Sequence, residues 1–434
     1  MCAQSVILLS RFPLEAPYYS SVSKLLNTTV DEEFVEPALR LVRDYCRSSR
    51  PTPELSDEAF VRLGLQRVVE TCESGRAFLQ ERADGGEPVA RATFFDALHS
   101  ARRLALTSEV AAQSYQRFSR ELCKRDWLEQ FPELSRRAVW AVDGHQIEHA
   151  VHAICDTKGE RVSAGMIYGL CLHTGLVRPM APFQGDGRHG HEFPVFKKHL
   201  GAWLGADQRE EMPIVIGDPA YIDVQFWCLQ KIRRQAVVIT REKENMKPQV
   251  IAANPCDADD PVNRGVEADE YAGYSAGYMR RIRYRDPATG ELFIFITTCL
   301  TLRPGLIALL YLLRWKIEKA YDVFKNKLFE QKAWANGRTA LLCQAHFVAL
   351  VYNLLILLQA KLENFGIYER KVQDKAAKRA AGAPAAKRVP SHEMIQHAHV
   401  LTCQFIRLVR YCLRRRTAWV DMLPLFRERM EVYL

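Results

Sequence analysis

The residues best suited to chemistry lie in two places: a single helical stretch, and two aspartates far upstream of it. The stretch is YLLRWKIEKAYDVFKNKL, Tyr311 to Leu328. Read as one helix at about 100° per residue, Tyr311, Arg314, Glu318 and Lys325 fall near 0°, 300°, 340° and 320°. They form one polar stripe. Leu313, Ile317, Ala320, Phe324 and Leu328 fall near 180–260° and form a separate apolar face. The stripe can be a solvated ladder of ion pairs, since Arg–Glu pairs at i,i+4 are common. It can also be a working edge facing a phosphate chain, because Arg and Lys suit phosphates and Tyr can donate to a phosphate oxygen. Trp315, beside the stripe, can stack on an unpaired base or pack into a core.

Asp143 closes the apolar run AVWAVDG (Ala138–Gly144), and Asp218 lies in MPIVIGDPAY (Met212–Tyr221). Both are expected at the C-terminal ends of buried strands, where ligands of α/β sheets gather. A carboxylate there must stay hydrated, be paired, or bind a cation. With Glu318 they make three hard oxygen ligands suited to Mg²⁺ or Mn²⁺. Two such ions roughly 3.5–4 Å apart can activate a water or hydroxyl and stabilise the leaving oxygen of a phosphodiester. Separations of 75 and 100 residues do not by themselves bring the three together. Each aspartate could instead be a capping or turn residue. A rival cluster, His145, His149 and His152 in DGHQIEHAVH, would offer zinc ligands if helical, but its Glu148 is not placed as in H-E-x-x-H. DGRHGH (Asp186–His191) reads as a loop.

The surrounding elements must position these groups. Residues 1–130 read as mostly helical. Within them RATFFDALHSARRLAL (Arg91–Leu106) is expected as one helix opened by a Thr93–Asp96 capping box. Its Arg91, His99, Arg102 and Arg103 could enter a DNA groove or form a solvated basic face. Val162–Phe183 reads as two strands joined at His173-Thr174-Gly175. A helix over HEFPVFKKHLGAWLG, the Asp218 strand, a helix over Asp223–Arg233 and a strand over Gln235–Thr240 follow. Residues 242–278 are polar and turn-rich, and a hairpin then turns at Asp286–Gly290. This order predicts α/β with a mixed sheet. The remaining residues, 329–434, read as helical. They are broken by a basic loop (KVQDKAAKRAAGAPAAKRVP, within 371–390) and include a basic amphipathic helix ending in Arg414-Arg415-Arg416, which could touch phosphates or be solvated.

Length favours two to four domains, and 48% hydrophobic with 26% charged residues is a globular, water-soluble profile. A net charge of +9 suits a polyanionic partner without establishing one. The twelve cysteines form no C-x-x-C pair, so a zinc ribbon or redox motif is not indicated, and with no secretory signal read at the N-terminus reduced thiols in a cytosolic protein are expected. The apolar window Ala340–Ala360 contains Gln344, His346, Asn353 and Gln359, which favours a buried helix over a membrane span.

Y-x2-R-x3-E-x6-K, preceded by D-x-x-Y at Asp218–Tyr221 and D-G at Asp143, resembles the DDE transposases of bacterial insertion sequences. The likeness is to the group with the Tyr-Arg-Glu-Lys signature and spans about residues 136–330. It implies a ribonuclease-H-like mixed-sheet core (131–241 and 301–330) interrupted by a β-rich insertion (242–300), with a helical DNA-binding region (1–130) and a helical C-terminal region (331–434). It implies that Asp143, Asp218 and Glu318 hold the catalytic metals, two Mg²⁺ or Mn²⁺ ions, and that Tyr311, Arg314 and Lys325 position the transposon-end backbone. The partners so implied are double-stranded DNA, both transposon ends and target, and a second copy of the chain in the DNA complex, in the bacterial cytoplasm at the nucleoid. Gly144-His145 replaces the small hydroxyl residue that many relatives carry after the first Asp. Two readings remain beside transposition: a structure-selective nuclease without strand transfer, and a DNA-binding protein derived from a transposase.

Overall fold

A computed structural model describes residues 28–45, 55–70, 74–122, 127–147, 164–184, 192–205, 211–328, 333–335, 337–364 and 392–431. The basic loop 371–390, His149, His152 and the DGRHGH segment lie outside the described residues.

The N-terminal part supplies helices α1 (Val30–Tyr45), α2 (Asp57–Glu70), α3 (Gly75–Asp84), α4 (Arg91–His99), α5 (Ala101–Leu122) and the short α6 (Pro132–Ser135). The stretch expected as one helix over Arg91–Leu106 is therefore two. Ser100 takes an extended conformation between them, and α4 starts after Ala90 with no side-chain cap, so the Thr93–Asp96 capping box does not form. Apolar packing overrides that local signal: Phe94 and Leu98 are buried on α4, and α5 turns away to bury Leu106, Val110 and Phe118.

This break separates the basic residues. Arg102 pairs with Asp57 through both Nη atoms, at 2.9 and 2.8 Å. Arg103 points inward, 3% exposed, over the Phe60 ring, and donates to the Leu55 carbonyl at 2.6 Å and to Asp57 at 2.7 Å. Arg103 is thus an internal strut, which corrects its expected place on a groove-facing surface. Arg103→Ala is expected to lower unfolding free energy by about 2–3 kcal/mol, because carbonyls and a carboxylate lose a buried donor. A urea-denaturation midpoint unchanged from wild type would reject the assignment.

The centre of the molecule is a nine-stranded mixed sheet in the order β3-β2-β1-β4-β5-β9-β8-β7-β6. Its strands are β1 (Val139–Gln146), β2 (Ala164–Cys171), β3 (Val177–Gln184), β4 (Ile214–Ile216), β5 (Val237–Arg241), β6 (Gln249–Ala253), β7 (Val266–Tyr274), β8 (Gly277–Arg285) and β9 (Leu292–Thr297). The expected β2–β3 hairpin is present, with Gly175 at φ +74° in its turn. β4 and β5 run parallel to β1 and read as unbroken apolar runs because both faces are covered. This mixed α/β arrangement is consistent with a ribonuclease-H-like DDE domain. The polar segment after residue 242 forms strands of the same sheet: β9 pairs with β5, and β8, β7 and β6 extend it outward. Its charges are used internally. Arg280, 5% exposed, forks onto Asp269 at 2.9 and 2.5 Å and reaches the Leu302 carbonyl at 2.6 Å.

Helices α7 (Glu192–Leu204) and α8 (Val224–Ile232) connect strands of the sheet. α9 (Pro304–Leu313) and α10 (Trp315–Asn326) follow it, then α11 (Arg338–Asn364), α12 (His392–Arg414) and α13 (Trp419–Glu431). By length and composition α11 could cross a membrane, but 89% of its apolar window is buried within the protein. Gln344 in it accepts from the Trp334 N–H at 3.0 Å. Asn353 donates to the Val177 carbonyl at 2.8 Å and accepts from the Val177 N–H at 2.9 Å, closing one end of β3. The basic helix α12 does not present all its cations to solvent. Arg410 Nε and Arg414 Nη2 donate to the carbonyls of Val69 and Glu70 at 2.7 and 2.9 Å, satisfying the last turn of α2.

Candidate active site

The register between β1 and β4 builds the site. Parallel pairing sets Val139 beside Ile214 and Ala141 beside Ile216. Asp143 and Asp218 each lie two residues beyond the last pair, Asp143 still within β1 and Asp218 just past the end of β4, near enough for the Asp218 charge to act on Asp143. Asp143 is not the end of its strand, because β1 continues to Gln146 against β2; it lies where the β4 side opens. Asp218 follows Gly217 and caps the 3-10 turn Pro219–Tyr221, its Oδ1 accepting from the Ala220 N–H at 2.8 Å. Asp143 Oδ1 accepts from the Gly144 N–H at 2.9 Å.

Sequence reasoning did not single out a third carboxylate at this opening, Glu192, the first residue of α7. A methyl group on Gly144 would overlap Glu192 Oε2, so glycine at 144 is what lets that carboxylate approach the strand. A glutamate opening a helix at this end of the sheet, with a glycine directly after Asp143, was the available signal. Burial first, then the charges of Glu192 and Asp218, push the Asp143 carboxyl up to about 7, while Arg314 and the Gly144 N–H pull the other way. Burial and then Asp218 likewise push Glu192 up to about 7. The Tyr221 hydroxyl lies against Glu192, close enough to oppose that rise, but it makes no hydrogen bond of good geometry. Burial and the Glu192, Asp143 and Asp218 charges raise the Tyr221 phenol well above its usual value.

The stretch Tyr311–Leu328 is two helices, not one. The two meet at Arg314, whose backbone stays helical (φ −53°, ψ −32°) while the regular hydrogen-bond ladder is interrupted, so the four-residue stripe spans the junction of α9 and α10. Tyr311, 9% exposed, packs against Phe295 at 5.0 Å between ring centroids. Arg314, 8% exposed, donates to Glu318 Oε1 at 2.6 Å, and its charge also acts on Asp143. Tyr321, one turn beyond Glu318, donates from its hydroxyl to the Asp143 carbonyl at 2.7 Å and stacks on His145 at 4.7 Å. The helix bearing Glu318 is thereby fixed to the strand bearing Asp143, with Arg314 between the two carboxylates. Asp143, Asp218 and Glu192 share one electrostatic neighbourhood, and Glu318 is linked to it through Arg314 and Tyr321. Lys325 is half-buried two turns further along α10. Trp315 is 39% exposed and meets His392 edge-on at 4.8 Å. Arg91 lies over the Phe95 ring at 5.7 Å.

His145 belongs to β1 and packs inside an aromatic cluster, so the helical histidine spacing considered for zinc does not start there. A separate group, Asp322, His399 and Cys403, brings its ligand atoms within 4.8 Å. His399 Nε2 contacts Asp322 Oδ2 at 2.7 Å and ties α10 to α12, while the charges of Lys319 and Lys327 beside it disfavour a bound cation.

Residues 141–354, just under half of the chain, match the family described as Transposase DDE domain. The match supports a DDE transposase. No curated protein matches the chain. The matched stretch contains Asp143, Glu192, Asp218 and Glu318. DDE transposase domains generally use divalent metal ions, and the donor set here fits such a group. Clustered carboxylates with raised pKa values, a buried tyrosine hydroxyl left without a good partner, and no cation paired with Glu192 among the described residues together describe an excess of negative charge.

Proposed function

We propose that this chain is a DNA transposase of the Tyr-Arg-Glu-Lys group. It hydrolyses a phosphodiester at the transposon ends and joins the freed 3′-hydroxyl to target DNA by transesterification. The supporting observation is the β1–β4 register, which sets Asp143 and Asp218 side by side within a matched DDE domain. In this reading residues 131–241 and 301–330 form the catalytic core, 242–300 is its insertion, and the helical parts 1–130 and 331–434 recognise ends and support a paired-end homodimer. The setting is the bacterial cytoplasm, at the nucleoid.

Asp143, Asp218 and Glu318 would hold Mg²⁺ or Mn²⁺, two ions. When bound, these supply activation of the attacking oxygen and stabilisation of the leaving one. Arg314 orients the Glu318 carboxylate and keeps a positive charge beside Asp143. Lys325, Trp315, Arg91 and Arg102 line the path of the DNA, where phosphate contacts set register on the duplex, and Tyr311 supports them from inside, against Phe295. In the first step water adds to phosphorus, the P–O3′ bond breaks and a 3′-hydroxyl remains on the transposon end. In the second step that oxygen forms a new bond to a target phosphorus and displaces a target 3′-oxygen, so bonds are exchanged without an external energy source.

The test is Glu318→Gln on a supercoiled plasmid carrying the DNA that flanks the coding region, together with a target plasmid. Cleavage and joining are expected to fall by at least about 10²-fold with end binding retained. Retained cleavage would reject Glu318 as a ligand. Hydrolysis without joined products in the wild type would point instead to a nuclease.

A further inference from the structure

We propose that Glu192 is a further carboxylate ligand of the divalent-cation site, and that residue 144 is glycine in order to admit it. The proposal rests on the transposase reading above and adds a residue to that site.

Three independent features of the fold converge on Glu192. The first is the approach to Gly144. Asp143 Oδ1 bonds the N–H of that residue, while Glu192 Oε2 occupies the space its Cβ would take. The two carboxylates therefore flank a single residue of β1. The second is the absence of a competing role. Among the described residues no cation pairs with Glu192, although other carboxylates nearby are paired: Glu318 with Arg314, and Asp223 with Lys197 at 2.5 Å. A partly buried carboxylate beside two others, with no cation partner among the described residues, is placed to take a counter-charge. The third is Tyr221. It is 0% exposed, its hydroxyl has no hydrogen bond of good geometry, and it lies in the field of Glu192, Asp143 and Asp218. A buried hydroxyl facing three carboxylates is placed to bond a ligand oxygen or a cation-bound water.

The surrounding packing holds this arrangement rigid. The Tyr221 ring is clamped between Phe196, at 5.0 Å and perpendicular, and Phe193, at 5.5 Å, both from the first turns of α7. The Lys197–Asp223 pair ties the same helix to the start of α8. Glu192 is therefore fixed by α7 relative to the turn that follows Asp218. Preorganised ligands of this kind bind ions with little reorganisation.

The competing explanation is local. A carboxylate in the first turn of a helix gains from the helix dipole. That role would lower the metal-free melting temperature of a Glu192→Gln variant and leave its metal affinity unchanged.

The experiment titrates Mn²⁺ alone into the full-length protein, read by electron paramagnetic resonance and by the Mn²⁺-dependent rise in Tm. It compares wild type, Asp143→Asn, Glu192→Gln and Gly144→Ala. Metal-free melting confirms that each variant is folded, and Gly144→Ala displaces the carboxylate while retaining the glutamate. Glu192→Gln and Gly144→Ala are both expected to weaken Mn²⁺ binding at least about tenfold, as loss of one ligand does. Wild-type-like affinity in Glu192→Gln, with binding lost in Asp143→Asn, overturns this inference and leaves the transposase reading standing. No Mn²⁺ binding by the wild type, or binding undisturbed by Asp143→Asn, overturns the transposase reading and this inference with it.

Discussion

Asp143→Asn is expected to lower single-turnover cleavage of transposon-end DNA by at least about 10³-fold, with the Kd for that DNA within about threefold of wild type. The size of the effect follows from position. Asp143 is the carboxylate on which the other groups converge: Asp218 beside it in register, Glu192 across Gly144, Arg314 in its field and Tyr321 bonded to its carbonyl. Asparagine keeps the volume and one acceptor oxygen, so the strand and its pairing with β2 are preserved. What it removes is the negative charge that a divalent cation needs, at the point where that charge is least diluted by water. Quantified cleavage products and filter binding on the same preparations would test this. Cleavage within tenfold of wild type would exclude Asp143 from the catalytic set.

The same carboxylates govern stability in the opposite sense. In the folded, metal-free protein the Asp143 and Glu192 carboxyls are each pushed up to about 7, from ordinary values of 3.8 and 4.5. A folded-state pKa above the unfolded one means that the native state holds the extra proton in between. Its stabilising contribution is therefore complete below about pH 4 and is lost as pH rises through about 7. Above that range the native state confines several ionised carboxylates together. Asp143→Asn is thus expected to be more stable than wild type by about 2 kcal/mol near pH 8 without metal, a Tm rise of about 2–4 °C, with the difference shrinking towards pH 4. Saturating Mn²⁺ should raise the wild-type Tm more near pH 8 than near pH 5, because protons and cations compete for the same oxygens. Differential scanning calorimetry across this range with EDTA or Mn²⁺ is the measurement. A variant less stable than wild type at every pH would contradict the charge cluster. Stability given up for an active site is the general pattern expected where like charges must be held together.

The outer strands bear on how Glu318 is held. Because β9 pairs with β5 and leads into α9, the segment between Asp218 and Glu318 continues the sheet instead of hanging from it as a separate lobe. Arg303, at the entry to α9, pairs with Glu133 of α6 at 2.6 Å and with Asp260 at 2.9 Å. The start of the Glu318 region is therefore braced from both the helical side and the β-rich side.

Some of this was determined by the sequence alone. The apolar runs VWAV, IVI and VVIT read as buried strands, and the β2–β3 and β8–β9 hairpins followed from alternation and turn chemistry. The types and order of Asp143, Asp218 and Glu318 pointed to cation chemistry, because a buried carboxylate must be hydrated, paired or bound to a cation. Tertiary structure decided the rest. Only the strand register could set Asp143 beside Asp218, since pairing is a long-range contact that no local signal encodes. Only packing could break the helix at Ser100 and interrupt it at Arg314, turning Arg103 and Tyr311 inward where helical spacing had left them on polar faces. Glu192 entered the site for the same reason. Its role comes from a helix N-terminus meeting a glycine 48 residues away in the chain, and side chains so far apart are joined only by the free energy of the whole core.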